Sequence, residues 1–376
     1  MAGMRQSNFL GVAMKFIFSL YRMMVAMLDW RCHLRILCGK GKYDVAFINI
    51  LENDLQNRFA GIFRNGQEVA YCLRFSLGQS LCRYLLINCP TPGFTAHESK
   101  RLARHSARIA VMAAVRDGAR IILFTPRIRS LFSENQLAGI KKDYPDIIFT
   151  AGGNGIALAL LTDVLHTVAL RGLTTDARIA VLGDELGGVT AGFMQRLEYC
   201  NLVLLNSDME NLFATLSEVE LVVACSPGRQ LKLTASVLER ISCQRGTYVI
   251  DAGTPAHLSR QEFLKCRNNI GRQDSGKVFH RGLRYVFPSA AHFVLRKLGN
   301  PAPQIIDACC GEALALSMLH PQALKDFDFL SVNTGALRFI ERAFTSAGFT
   351  VSPVHNFGKL ADNTIPSAGW NIAQYL

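Results

Sequence analysis

The sequence lacks internal repeats and low-complexity tracts, and it is short of charge: charged residues make up 19% of the 376 positions against 49% hydrophobic. Such a composition excludes disordered and collagen-like chains and reads as globular, with length enough for two domains that each bury a core. No C-x-x-C pair is followed by a second ligand pair, so neither a zinc site nor any other metal site is expected. The eleven cysteines are odd in number. They lie mostly inside apolar runs such as Val223-Ala224-Cys225 and Leu81-Cys82. That usage fits reduced thiols in a cytoplasmic setting rather than a disulfide framework.

Acidic residues are also scarce, 29 against 41 Lys and Arg, which leaves a formal charge of +12. The surplus favours acidic partners. Nucleic acid is not expected among them, because no helix-turn-helix, zinc-finger or aromatic RNA-binding signature accompanies the charge. An anionic lipid surface and an acidic carrier protein both remain compatible. On a helix following Thr95, residues Arg101, Arg104, His105 and Arg108 share one face, either as a solvated surface or as a docking patch for such a partner.

An uninterrupted apolar run is missing at the N-terminus too. Phe9 to Leu28 is strongly apolar, yet Lys15 and Arg22 break it and align with Arg5, Asn8 and Ser19 at three- and four-residue spacing. The pattern is amphipathic rather than transmembrane, and no clean cleavage site precedes Asp29-Trp30-Arg31. Residues 1–42 are therefore expected to form an amphipathic helical segment, either peripheral to a membrane or packed on the protein's own core.

Residues 43–150 read as an α/β domain: strands at Val45 to Ile50, within Gln67 to Leu77 and at Leu81 to Ile87, a turn at Arg64-Asn65-Gly66, a helix from Thr95 to Arg116, and a strand at Arg120 to Phe124 before Pro126. Residues 151–285 carry the clearest alternation. The glycines of Thr150 to Gly155 open a long apolar helix; then come strand Arg178 to Leu182, a glycine turn, a helix to about Leu197, strand Leu202 to Leu205, a helix near Met209, strand Leu221 to Ala224, a helix over Leu233 to Ser242 and strand Thr247 to Ile250. This spacing predicts a parallel sheet with crossover helices, a Rossmann-type dinucleotide-binding domain beside a second α/β domain that binds substrate. Lys265 to Arg284 reads as basic and irregular. Residues 286–376 read as helices (Ile305 to Leu319 and Gly335 to Ala347) and an irregular tail, with 300–350 completing the substrate domain.

Gly183-Asp184-Glu185-Leu186-Gly187-Gly188 follows a strand and opens a helix, the context of a phosphate-cradling turn. Strict G-x-G-x-x-G spacing is absent, and two acids sit where a pyrophosphate would approach. Ser207 and Asp208 fall at the ribose position, where an acid accepts from both hydroxyls and favours NADH over NADPH; capping of the next helix explains Asp208 equally well. Ser226, Asp251 and Gly253 end two further strands and should line the same cleft. Cys309, at the expected start of a helix, is placed where a helix dipole favours thiolate and suits a nucleophile; plain packing is the alternative.

Taken in order over about Leu81 to Pro353, these segments resemble the aldehyde-forming long-chain acyl-[acyl-carrier-protein] reductases. The run Gln304 through Ala313, with Ala308-Cys309 and Glu312-Ala313, is similar to that family's catalytic segment; Gly153-Asn154, Ser226-Pro227-Gly228, Ile250 to Pro255, Ser331-Val332-Asn333 and Ala347-Gly348-Phe349 also have counterparts. The resemblance implies an enzyme in which Cys309 takes the acyl group from an acyl carrier protein or acyl-CoA, NADPH or NADH reduces it, and a fatty aldehyde leaves. It also implies that Gly153, Asn154 and Glu312 border the substrate. The family's third-spaced glycines become Gly183, Leu186 and Val189, and its basic residue near the 2′-phosphate becomes Ser207, departures that bear on cofactor choice. The alternatives are an NAD-dependent dehydrogenase of another small substrate and a non-catalytic relative that binds acyl chains or a partner.

Overall fold

The computed structural model describes Leu20, Met23, Met27, residues 29–50, 68–87, 96–205, 216–225, 232–253, 256–267, 269–285 and 302–360, and Trp370, Ile372 and Tyr375. The expected turn at Arg64-Asn65-Gly66, the helix near Met209, Ser207, Asp208 and Ser226 lie outside these residues.

The chain forms two compact units, one comprising Met1–Ala151, Gly282–Ala291 and Leu316–Lys325, the other Gly152–Arg281, His292–Ala315 and Asp326–Leu376. The 300–350 stretch expected to complete the first domain is thus divided, with Leu316–Lys325 in the first unit and the rest in the second.

In the first unit, strands β1 (Val45–Ile50), β2 (Val69–Leu77), β3 (Ser80–Ile87), β4 (Ile121–Phe124) and β5 (Ile148–Thr150) join β12 (Leu283–Tyr285) in a six-stranded sheet of order β12-β2-β3-β1-β4-β5. β1 runs parallel to β3 and β4, and β4 to β5, whereas β2 is antiparallel to β3 and to β12. Continuous apolar runs in β1 and β4 fit strands buried on both faces. Helices α1 (Trp30–Leu37), α2 (Ala96–Arg116), α3 (Pro126–Arg129) and α4 (Glu134–Asp143) and the short 3-10 helix Pro321–Leu324 lie in the same unit. Pro126 does not end structure but begins α3, since a missing amide is harmless at a first helical position. On α2, Arg101, His105 and Arg108 are exposed while Arg104 is half-buried.

In the second unit, β6 (Ile179–Leu182), β7 (Leu202–Leu205), β8 (Leu221–Ala224), β9 (Thr247–Asp251) and β10 (Ile270–Asp274) form an all-parallel sheet of order β10-β9-β8-β6-β7. Counted from β6, that is the doubly wound order 2-1-3-4-5, with its switch point between β6 and β8. The fold is α/β of Rossmann type. Ala180, Leu182, Val222, Ala224, Leu238 and Val249 share its core. Each fully buried aliphatic side chain contributes about 1.5–3 kcal/mol relative to exposure.

Around this sheet lie α5 (Gly153–Arg171), α6 (Glu185–Arg196), α7 (Ala235–Ile241), α8 (Arg260–Lys265), α9 (Ala308–Ser317) and α10 (Thr334–Ala347). Among the described residues α5 alone is long and apolar enough to cross a membrane, but 56% of that stretch is buried inside the protein, so it serves as a core helix. A second, antiparallel sheet of order β13-β11-β14 pairs β11 (Lys277–Phe279) with β13 (Ile305–Asp307) and β14 (Thr350–Val351). The hairpin β15 (His355–Asn356) and β16 (Lys359–Leu360) follows. The stretch read as irregular, Lys265 to Arg284, therefore contains three strands, and the helix expected from Ile305 begins only after β13.

Candidate functional site

Strand β13 delivers the chain into α9, and the amide of Ala308 is held by Gly276 O at 2.8 Å. Cys309 is thereby fixed in the first turn of α9, as the sequence led us to expect, and is 6% exposed. The start of α5 abuts it. Gly152 caps α5 with φ +69°, and a Cβ there would fall 2.5 Å from Cys309 Cα and closer still to its Cβ. Both the backbone angle and the close approach require glycine.

Two buried side chains tie these helix starts together. Glu312 Oε2 accepts from the amide of Gly155 at 2.6 Å, which places a carboxylate at a helix N-terminus where the dipole favours it. Asn154 donates through Nδ2 to Ser331 O at 3.1 Å and accepts through Oδ1 from the amide of Asn333 at 3.2 Å. Both residues were expected to border the substrate; by these bonds Glu312 holds the start of α5 and Asn154 holds the segment carrying Ser331, Val332 and Asn333. Gly153 sits beside them, where an added Cβ would meet Val332 Cγ2 at 2.8 Å.

The same segment is held from another direction. Glu185 Oε1, in the turn between β6 and α6, accepts from the amide of Val332 at 2.7 Å. Cys309, Gly152 to Gly155, the Ser331 segment and the glycine turn thus form one connected constellation.

Electrostatics at the cysteine run against the expected thiolate. A hydrogen bond with Cys310 is the largest influence raising the Cys309 thiol, followed by burial and by the charges of Asp307 and Glu312, so its pKa lies well above the ordinary thiol value. One cation partly offsets the effect: Lys277 pairs with Asp307 at 2.7 Å and lies within electrostatic reach of Cys309. Burial alone would lower the ammonium's pKa, but Asp307 outweighs it and holds Lys277 charged. Lys277 was not anticipated because it sits in a stretch read as irregular.

The glycine turn joins β6 to α6. Gly183 has φ +138° and donates to Leu205 O at 2.9 Å. A Cβ on Gly187 would meet Leu204 Cδ1 at 3.1 Å, so this glycine lets α6 lie close to the sheet, while Gly188 faces open space. Asp184 is the N-cap of α6 but makes no side-chain cap bond, and both Asp184 and Glu185 are exposed. The frame fits a dinucleotide's pyrophosphate; the two carboxylates weaken the attraction of the helix N-terminus for it.

At the end of β9 the outcome differs from expectation. Asp251, expected to line the cofactor cleft, is buried and fully engaged by the protein: Oδ1 meets His257 Nδ1 at 2.9 Å and the Gly253 amide at 3.0 Å, and Oδ2 meets Arg272 at 3.0 Å and the Leu258 amide at 3.1 Å. Burial pushes the carboxyl up, but the hydrogen bond and charge of His257, then Arg272 and Leu258, outweigh it and hold the pKa low. Arg272 continues the network to Asp274 and Asn356, both at 2.7 Å, and stacks over Phe357. Asp251 therefore organises a loop with its carboxylate taken by four donors, one of them the Gly253 amide. Neither His257 nor Arg272 carried any signal in the sequence.

No protein-family model matches the chain, and no curated protein matches it. Among solved structures, it is similar to a hetero-hexameric glutamate dehydrogenase from Thermus thermophilus, with 11% identity, 82% of this chain and 75% of that chain covered, and a TM-score of 0.33. Similarity also extends to a 5,10-methylenetetrahydrofolate dehydrogenase from the silkworm Bombyx mori (13% identity, 68% and 87% covered, TM-score 0.27). A third is the N5,N10-methylenetetrahydrofolate dehydrogenase-cyclohydrolase of Trypanosoma brucei (10% identity, 72% and 87% covered, TM-score 0.28). At TM-scores this low the likenesses carry no weight of their own. The fold stands on the strand order and register described above.

Proposed function

We propose that the protein is a nicotinamide-dependent oxidoreductase that reduces a fatty acyl thioester, on an acyl carrier protein or on CoA, to the aldehyde through Cys309. The observation that supports this reading is the shared segment at Ser331 to Asn333: Asn154, beside the glycine against which Cys309 packs, holds it from one side, and Glu185 of the glycine turn holds it from the other. A nucleophile and a nucleotide turn are thereby linked through a single loop.

In this reading Cys309 loses its proton, attacks the thioester carbonyl and expels the carrier thiol, leaving an acyl group on its sulfur. The positive charge of Lys277 favours the anionic sulfur, and first-turn amides of α9 other than that of Ala308, which Gly276 O already holds, would stabilise the developing oxyanion. Asn154 and Glu312 keep the helix starts in register. Gly183, Gly187 and Gly188 would hold the cofactor, which supplies a hydride when bound.

A second reading, a non-catalytic relative that binds acyl chains or a partner, is favoured by the raised Cys309 pKa and the acids at the turn. Incubation of purified protein with acyl-carrier-protein or acyl-CoA and NADPH or NADH separates the two. Aldehyde from the wild type and at least about a thousandfold less from Cys309→Ala supports the enzyme, since losing a covalent nucleophile removes the whole pathway. Equal silence of both proteins, with no calorimetric heat on titrating either nicotinamide, overturns it in favour of the second reading. Activity that survives Cys309→Ala would instead select a dehydrogenase of another small substrate.

A further inference from the structure

Helix α1 is mounted with its amphipathicity reversed. Both its arginines and its N-cap face the protein, while His33 is exposed: Arg35 pairs with Asp44 at 2.7 Å, Arg31 reaches Ser76 at 3.3 Å, and Asp29, the N-cap, accepts from the Cys32 amide and pairs with Arg74. Cys32 is buried beneath them. The apolar side chains face solvent, with Trp30 at 62%, Leu37 at 81%, and Leu34 and Ile36 also exposed. A helix of a globular protein normally buries that face.

The outward apolar character continues upstream. Leu20, Met23 and Met27 are helical and exposed, and with Trp30, Leu34 and Leu37 they recur at spacings of three and four residues. Large side chains left exposed at helical periodicity over this length mark a surface that something else covers.

Charge decides between the candidates for that role. Residues 1–42 hold seven Lys and Arg and one acid, Asp29; the acid is buried against Arg74, and Arg35 and Lys42 are paired with Asp44 and Asp117, so Arg5, Lys15, Arg22, Arg31 and Lys40 make up the segment's surplus. A second copy of the same segment would bring like charges together, and an apolar groove of a neutral partner would leave the cations unused. An anionic bilayer satisfies both features, since acyl chains take the apolar side chains, headgroups take the basic ones, and Trp30 suits the boundary. We propose that the segment from Leu20 to Leu37 docks the protein on an anionic lipid surface, lying on the bilayer with Trp30, Leu34 and Leu37 inserted. This inference is independent of the acyl-thioester reading, because it uses no residue of the Cys309 constellation.

Vesicle co-sedimentation of the full chain tests it, with phosphatidylcholine alone against phosphatidylcholine containing about 25% phosphatidylglycerol. Binding should be about tenfold or more stronger to the anionic vesicles and should weaken as salt is raised. In a Trp370→Phe background, where Trp30 is the remaining tryptophan, its emission should shift to the blue on binding. The double variant Leu34→Asp/Leu37→Asp, at two exposed positions, should keep its circular dichroism spectrum and lose at least about tenfold in vesicle affinity. Equal binding to neutral and anionic vesicles would overturn the proposal, as would absence of binding. So would a concentration-dependent dimer that the double variant abolishes, because the apolar face would then belong to a second copy.

Discussion

The carboxyl ends of β6 and β9 belong to one parallel sheet, yet they treat polar atoms in opposite ways. At the end of β9, Asp251 meets four donors, and Arg272 behind it is bonded to two carboxylates and an amide oxygen. At the end of β6, Asp184 makes no cap bond, Gly188 faces open space and the carboxylates reach solvent. A strand end whose carboxylate meets four internal donors stabilises the fold; one whose N-cap side chain is exposed and makes no cap bond is available to a ligand. The contrast separates structure from function within a single sheet, although both ends occupy positions where open α/β sheets bind ligands.

The largest effect that would break this comparison comes from Asp251→Ala. It removes a carboxylate from a guanidinium that is itself fully buried, and breaking such a pair costs about 3–5 kcal/mol. The urea midpoint should fall accordingly. Because the folded pKa of Asp251 is depressed, its contribution is present above the ordinary carboxylate range and is lost as pH falls through the folded value, so wild type and variant should converge in acid. A loss below about 1 kcal/mol at neutral pH would mean that the network is not structural.

Asp163 sharpens the same point, since it is equally buried but has a hydrogen bond from Ser275 in place of a cation. Burial pushes its carboxyl up to about 7 from 3.8, the Ser275 bond lowering it only in part. The sign is opposite to that of Asp251: the folded state holds the proton more tightly, so stability falls as pH rises from about 4 to 7 and stays low above. Asp163→Asn, which remains neutral, should stabilise the protein by about 2–3 kcal/mol at pH 8 and by far less at pH 5, read from urea midpoints at the two values. Equal effects at both would show that Asp163 ionises without penalty.

What the sequence made legible follows from how each part is held. Strands β6 to β9 are apolar runs between turn residues, and the turn from Gly183 to Gly188 announces itself by its glycines, of which Gly183 takes a positive φ and Gly187 lies close to Leu204. Strands β10 and β11 were hidden because Arg272, Gln273, Asp274 and Lys277 are polar residues whose partners, Asp251 and Asp307 among them, come from elsewhere in the chain; hydropathy reads them as exposed. Cys309 was legible as a residue but not as a thiol. Its raised pKa depends on Cys310 and on buried acids whose proximity only the fold supplies. The hidden strand β13 shows the same limit, since Ile305-Ile306 continues into a helix without any turn residue between them.

The smallest effect tests the open end of the comparison. Asp184 is exposed and stands at the start of α6, where a pyrophosphate would meet first-turn amides. Its charge opposes the helix dipole's attraction for an anion, and for an exposed group that opposition is worth less than about 1 kcal/mol. Asp184→Asn should therefore raise affinity for NADH and NADPH about three- to fivefold in calorimetry at low salt, with the gain fading at high salt as screening removes the repulsion. Glu185→Gln should give a similar gain, because the amide oxygen can still accept from Val332 while the charge is gone. If neither variant changes affinity while the wild type binds cofactor, the phosphates lie away from this turn, and the exposed turn at the end of β6 is not where the sheet meets its ligand.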